Sequence, residues 1–360
     1  MKLISISANI IGGEFVNNWS VEKVCFDQGI NLIVGQNATG KSRMINVIQD
    51  LADTIRNGKY MFSLSEKVEL ECVFKKDNGD ILTYSFALHI HTMDISVLEQ
   101  IVLNDQVLLK RDTSKTEIYS YSSKKNLEID PPEDKLVLHV RRDKIEFPFL
   151  EDLVHWANKI SIFPFGKLNT PYLNRPNINP SWLIQKLNAA SIQNVIDGLN
   201  KLGYVIENLE WEPLRDKPGN VILIKEKGFE KFITEYDLSQ GMFRALGLLI
   251  YIENLIQNNS ISTVIVDDIG EGLDYERATK LGKLLVEKLE NSNIQFIATS
   301  NDEFLMNVID TKYWNILERD GNTVKSFNYT NSKAIFDDFR MSGLSNFYLL
   351  SSNFLSLKQL

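Results

Sequence analysis

A run of small and polar residues, Gly35-Gln36-Asn37-Ala38-Thr39-Gly40-Lys41-Ser42, fits the pattern G-x-x-x-x-G-K-[ST]. Residues of these types at this spacing suit a phosphate. The glycines let the backbone wrap an anion with its N–H groups, and the N-terminus of a following helix adds partial positive charge. Lys41 then reaches the β- and γ-phosphates and Ser42 ligates Mg2+. A second chemical feature is the acidic pair Asp267-Asp268, which directly follows the apolar run Thr263 to Val266. Carboxylates at the C-terminal edge of a buried strand stand where α/β folds place ligands. One can hold the water shell of Mg2+ while the next polarises an attacking water.

Both motifs need particular elements to hold them. Gly29 to Val34 (GINLIV) reads as a buried parallel strand leading into the loop, and Lys41 to Ile55 carries Met44, Ile45, Val47, Ile48, Leu51 and Ala52 at helical spacing. Residues 2 to 8 alternate as a strand does. Val68 to Leu109 reads as antiparallel hairpins turning at Asp77-Asn78-Gly79-Asp80 and Asn104-Asp105. Asp112 to Lys135, rich in Ser, Lys, Asp and Pro, predicts a long exposed loop, and Leu150 to Ile160 and Pro180 to Leu202 predict helices. A helix from about Gly241 to Asn258, the strand Thr263 to Val266, a helix from Tyr275 to Leu289 and the strand Ile294 to Ala298 follow. A hairpin at Asp320-Gly321 and an aromatic tail close the chain. No internal repeat and no sustained heptad pattern is visible.

Between these elements, Leu238-Ser239-Gln240-Gly241 precedes a helix as the LSGGQ signature of ABC-type ATPases does. Asp267-Asp268-Ile269-Gly270-Glu271-Gly272-Leu273-Asp274 aligns without gaps to their D-E-P-x-x-x-L-D segment. With the phosphate loop in front, the chain resembles the ABC-type heads of SMC, RecF-like and OLD-like ATPases, over residues 1 to 55 and 235 to 305. The resemblance implies an α/β P-loop NTPase with a mixed β-sheet flanked by helices, an antiparallel β arm and a helical insert. Residues 1–110 would form an N-terminal lobe with the loop and arm, 111–210 a loop and helical insert, 211–330 a C-terminal lobe, and 331–360 a tail. It implies ATP held by Gly35 through Ser42, Mg2+ held by Ser42 and Asp267, and catalysis by Lys41 and Asp268. Ser239, Gln240 and Gly241, with Asp274, would meet the ATP of a second subunit, so that ATP joins a homodimer.

Two departures from that family matter. Asp268 stands where the family has a glutamate, and one methylene less retracts the carboxylate by about 1.5 Å; misplacement on that scale costs on the order of a hundredfold in rate. The switch histidine after IQFIATS is missing, and Ser300 or Asn301 occupies its place. Slow hydrolysis is therefore expected, with ATP acting mainly as a dimerisation switch. The resemblance points to anti-phage defence or DNA repair beside a nuclease or toxin effector, with DNA as a further partner. The ATP-binding subunit of a membrane transporter is the alternative, but about 200 residues separate Lys41 from Ser239, more than such subunits use. A phosphate-transferring kinase leaves the signature unexplained.

Composition narrows the field. The chain has 360 residues, 44% hydrophobic and 24% charged, enough for a sizeable core. A net charge of −8 excludes a surface that is basic throughout, so DNA would need a local patch. Arg141-Arg142 with Lys144, and Lys124-Lys125, are the clusters available, and solvated faces explain them as well. The run Ala245 to Ile252 is too short to span a bilayer, and MKLISISANI reaches Gly12, Gly13 and Glu14 without a leader pattern, so a cytoplasmic place away from membranes is expected. Cys25 and Cys72 lack metal or redox spacing. His89 and His91 share a strand face but have no evident third ligand. Phe336, Phe339, Leu344, Phe347, Tyr348, Leu349, Leu350, Phe354 and Leu355 mark the tail as a packed final helix or a docking segment.

Overall fold

In chain order the strands of the computed structural model are β1 (Lys2–Gly12), β2 (Trp19–Cys25), β3 (Ile30–Val34), β4 (Ser65–Lys75), β5 (Ile81–His91), β6 (Asp94–Leu103), β7 (Gln106–Arg111), β8 (Thr116–Ser120), β9 (Lys125–Ile129) and β10 (Ile160–Phe163). They continue with β11 (Ile206–Pro213), β12 (Asn220–Glu226), β13 (Ile233–Thr234), β14 (Ser262–Val266), β15 (Ile294–Thr299), β16 (Trp314–Asp320) and β17 (Thr323–Asn328). The helices are α1 (Lys41–Asn57), α2 (Val137–Val140), α3 (Pro148–Lys159), α4 (Pro180–Leu183), α5 (Ala189–Lys201), α6 (Gln240–Gln257), α7 (Tyr275–Leu289), α8 (Glu303–Val308), α9 (Lys333–Met341) and α10 (Asn346–Ser351). The structure describes residues 1–13, 18–58, 65–91, 94–163, 165, 178–214 and 219–352. Contacts divide the chain into two units, one of Met1–Gln28, Gly35–Ile160 and Asn315–Lys333, the other of Gly29–Val34, Ser161–Trp314 and Ala334–Leu360.

The first unit orders its strands β16-β17-β2-β1-β4-β5-β6-β7-β8-β9. Neighbours in this order pair antiparallel except β17 with β2, which are parallel. Alternation decides which face is buried: Val68, Leu70, Cys72 and Phe74 of β4 point inward, as do Leu82, Tyr84, Phe86 and Leu88 of β5. Phe74 meets Trp156 of α3 edge-on at 4.8 Å. Helix α1 buries Met44, Ile45, Val47, Ile48, Leu51, Ala52 and Ile55, the stripe expected from sequence. Gly58, at φ 67, ends it by donating its N–H to the Thr54 carbonyl.

One expectation fails in this unit. Asp112 to Lys135 is not a long loop; it contains β8 and β9, which extend the arm as a further hairpin. Ile118 is fully buried while Ser114, Ser122, Ser123 and the lysines are exposed, so composition reported mainly the outer face. The segment after β9 is fastened by Arg111, which donates to the carbonyls of Pro131, Pro132 and Lys135.

In the second unit the order is β10-β14-β15-β3, with β14–β15 and β15–β3 parallel, and β11-β12-β13 form a separate antiparallel sheet. Every residue of β3, β14 and β15 is buried, as a strand covered on both faces requires. Helix α6 is buried along nearly its whole circumference from Gly241 to Glu253. The single helix expected over Pro180 to Leu202 is interrupted: Leu187 is extended, and Asn188 caps a new helix by accepting the Ser191 N–H. In the tail, Phe336, Phe339 and Leu349 are buried, while Leu344 and Tyr348 are exposed. Phe354 and Leu355 lie outside the described residues, as does the side chain of His91. Parallel and antiparallel pairing both occur, so the fold is an α/β one with a mixed sheet. Among the described residues no helix is long and apolar enough to cross a membrane.

Candidate functional site

In the first unit, the loop from Gly35 to Ser42 opens onto α1. Gly35 is obligatory, because a Cβ there would lie 2.7 Å from both the Leu317 carbonyl and the Thr39 hydroxyl. Ala38 and Gly40 take left-handed conformations at φ 65 and φ 102, which fold the chain into a concave turn. Thr39 is buried and donates its hydroxyl to the Gln36 carbonyl at 2.9 Å. Lys41 is also buried, and its ammonium donates to the carbonyls of Gly35 at 2.7 Å and Gln36 at 3.0 Å. The ammonium thus bridges the turn and stores a positive charge there. Gln36, Asn37 and Ala38 remain exposed. A polyphosphate fits this cradle, since the positive charge and the turned backbone are in place before any ligand arrives.

The acidic pair lies in the second unit. Val266 pairs with Ala298 in the parallel β14–β15 ladder, so the next residues, Asp267 and Thr299, come together. The fully buried Thr299 donates its hydroxyl to the Asp267 carboxylate at 2.8 Å and accepts the Asp268 N–H at 2.8 Å. One hydroxyl therefore orients both members of the pair. Asp268 has φ 51, an uncommon conformation that aspartate tolerates better than most side chains. Ser300 is fully buried. Its hydroxyl donates to the Ile269 carbonyl and accepts the Asp302 N–H, each at 3.0 Å. Asn301, beside it, is exposed.

The signature segment belongs to the same unit. Ser239 caps α6 by accepting the Met242 N–H at 3.3 Å, and both Ser239 and Gln240 are exposed. Gly241 packs on the segment that follows the acidic pair: a Cβ on it would fall 2.5 Å from the Gly272 carbonyl. Arg244, one turn on and buried, donates to the Glu271 carbonyl at 2.8 Å and lies under Gly272. Asp274 caps α7 by accepting the Arg277 N–H, and Arg277 also pairs with its carboxylate, so the carboxyl is held below the usual carboxylate range.

A model of the family described as "AAA domain, putative AbiEii toxin, Type IV TA system" matches residues 30–307. The chain belongs to this family. That AAA family chain is also similar in fold to three SMC heads. One is an SmcHead bound to the C-winged helix domain of ScpA, at a TM-score of 0.60 and 13% identity, covering 93% of this chain and 99% of that one. The SMC head domain from Thermotoga maritima matches at a TM-score of 0.50 and 15% identity, covering 91% and 99%. The Smc head with an extended coiled coil, bound to the C-terminal domain of ScpA derived from Pyrococcus furiosus, matches at a TM-score of 0.54 and 12% identity, covering 94% and 100%. No curated protein matches the sequence. The chain, within the AAA-domain family, has the fold of these SMC heads, whose kind its motifs resemble.

Several side chains around the motifs of this AAA-family chain escape a reading of motifs. Thr299 ends an apolar strand, and only the ladder register puts it against Asp267. Arg244 carries no motif of its own. Arg142, one of the basic cluster, is held in a two-point pair with Glu151. Cys25 and Cys72 are both free thiols, and burial pushes the Cys72 thiol up.

Proposed function

We propose that this chain is an ATP-gated switch whose heads associate through bound ATP and hydrolyse it slowly. The observation that carries the reading is the exposed N-terminus of α6. Ser239 and Gln240 there face solvent, so the partial positive charge of the helix N-terminus is presented to an anion supplied by another molecule. In this reading the P-loop residues Gly35 to Ser42 hold the ATP phosphates. Lys41 neutralises the charge that develops on them, and Ser42 and Asp267 hold Mg2+. Mg2+ and ATP supply a polarised phosphate. Asp268 orients the attacking water, and its short side chain keeps turnover slow. Ser239, Gln240, Gly241 and Asp274 serve the nucleotide of the second subunit. Because the Ser300 hydroxyl is engaged on both sides, Ser300 positions the strand end, and the exposed Asn301 takes the switch place.

The family description, with its putative toxin and toxin–antitoxin system, supports a role in bacterial defence with a nuclease or toxin effector. The ScpA-bound Smc heads support docking of a partner protein on such a head. DNA repair and a DNA partner are the second reading, for which Lys124, Lys125, Arg141 and Lys144 offer exposed positive charge. The test is the oligomeric state of wild type and Ser239→Arg, with and without ATP, by light scattering. Wild type should become dimeric with ATP and Ser239→Arg should stay monomeric. ATP leaving both unchanged refutes the switch.

A further inference from the structure

The signature motif ends a segment of the second unit that lies almost wholly at the surface. From Lys225 to Gln240 the one buried residue is Glu235, only 6% exposed. Phe229, Phe232 and Tyr236, the kind of side chain that ordinarily anchors a segment, are all exposed. A carboxylate is the anchor instead, four residues ahead of Ser239. Directional bonds hold it. One of its oxygens accepts the Ser181 hydroxyl at 2.7 Å, and the other accepts the same hydroxyl at 2.9 Å and the Ile222 N–H at 3.2 Å.

Two elements thus grip one side chain, α4 through Ser181 and β12 through Ile222. Ser181 is buried and fixed in its turn. Its N–H is donated to the Asn179 side-chain oxygen and its carbonyl accepts the Asn220 side chain, each at 2.9 Å. The stretch from Glu235 to Ser239 is short and tied to itself. The N–H and hydroxyl of Thr234 both donate to the Asp237 carboxylate, at 3.1 Å and 2.7 Å, and close a single 3-10 turn over Glu235–Asp237. Leu238 is extended, and Ser239 then caps α6. A shift at Glu235 is therefore passed on to Ser239. Burying a carboxylate is costly, and an apolar side chain of similar size is often no worse for stability. What the apolar side chain lacks is direction, because the hydrophobic effect is non-directional.

We propose that Glu235, gripped by the Ser181 hydroxyl and the Ile222 amide, is the positioning residue of the signature: it sets where Ser239 and the N-terminus of α6 stand for the nucleotide of a second subunit. The proposal rests on the reading of Ser239 to Gly241 as a contact with that nucleotide, and it names what holds the contact in place. Glu235 itself touches no nucleotide.

The experiment measures, on the full chain, the dissociation constant of the dimer formed with Mg2+ and ATP, by sedimentation, for wild type, Glu235→Met, Ser181→Ala and the double variant. Thermal unfolding gives the stability of each, and ATP binding to dilute monomer gives the affinity of the cradle. Glu235→Met leaves the Ser181 hydroxyl unpaired and should lower Tm; the double variant makes both partners apolar and should recover much of that loss. The dimer should not recover. It should be about tenfold weaker in both methionine variants, the ratio that corresponds to one hydrogen bond to a charged group. Monomer affinity for ATP should stay within about twofold throughout, because the cradle lies in the other unit. Ser181→Ala alone is a small truncation that removes the same grip from the other side. It should weaken the dimer about threefold or more, and it decides the matter if the methionine variants do not fold. Dimer affinity that recovers together with Tm in the double variant makes Glu235 a residue of stability only and overturns the proposal. Wild-type dimer affinity in Ser181→Ala does the same. Wild type staying monomeric with ATP overturns the switch itself, and the anchor with it.

Discussion

Replacing Thr299 by valine tests how the acidic pair is held. The hydroxyl of Thr299 is both donor to Asp267 and acceptor for the Asp268 amide, and valine keeps the shape while removing both functions. The amide of Asp268 would lose its acceptor, which costs about 1–3 kcal/mol. Loss of the hydrogen bond to the Asp267 carboxylate adds about 1.5 kcal/mol, the low end for a charged partner because Asp267 is half-exposed. The extra buried methyl returns about 0.8 kcal/mol. A net destabilisation of about 2–4 kcal/mol follows, read as a lower urea midpoint with unchanged slope. Thr299→Ser keeps the hydroxyl and should lose only about 1 kcal/mol, for the missing methyl. On the functional side, ATP binding in EDTA should be unchanged for valine, because the cradle around Lys41 lies elsewhere in the chain, while the gain in affinity on adding Mg2+ should shrink. A valine variant within about 0.5 kcal/mol of wild type, with its Mg2+ response intact, refutes the claim that one hydroxyl orients the pair.

Gly241→Ala forces a methyl to within 2.5 Å of the Gly272 carbonyl, where backbone must move; ATP-dependent dimerisation should be lost while monomers still bind ATP, as gel filtration and calorimetry would show. Asp268→Glu lengthens the carboxylate and should raise the rate of phosphate release, at some cost in stability because glutamate tolerates φ 51 less well than aspartate; an unchanged rate points to another base. Glu99 gives a pH signature. Burial pushes its carboxyl up to about 7, against the Val137 amide, the Tyr84 hydroxyl and Arg111, which favour the charged form. The folded state therefore holds the proton more tightly than the unfolded chain. Stability from this group is full below pH 4.5 and is lost as pH rises through about 7, to the extent of about 3 kcal/mol. Glu99→Gln should narrow the difference in Tm between pH 5 and pH 8, and parallel curves for the two proteins contradict the assignment.

The sequence alone determined the phosphate loop, because glycines at forced positions and a lysine–serine pair are local necessities of gripping an anion. It likewise fixed α1, whose apolar stripe is a matter of spacing, and the buried β3, β14 and β15, whose apolar runs fit no exposed strand. The order of the three motifs was legible too, and it led to the right family. Tertiary structure decided the rest. Asp112 to Lys135 reads as a loop because many of its side chains face water; only the pairing of β7 with β8 and of β8 with β9 makes these segments strands. Thr299 gained its contact with Asp267 through ladder register, and Arg244 its contact with the Glu271 carbonyl through the approach of Gly272. The two contact units each gather three separate stretches of chain, an arrangement that consecutive blocks of sequence do not express. Local motifs are written in adjacent residues and survive in the one-dimensional string; partners brought together by strand pairing are separated by chain of arbitrary length and leave no local trace.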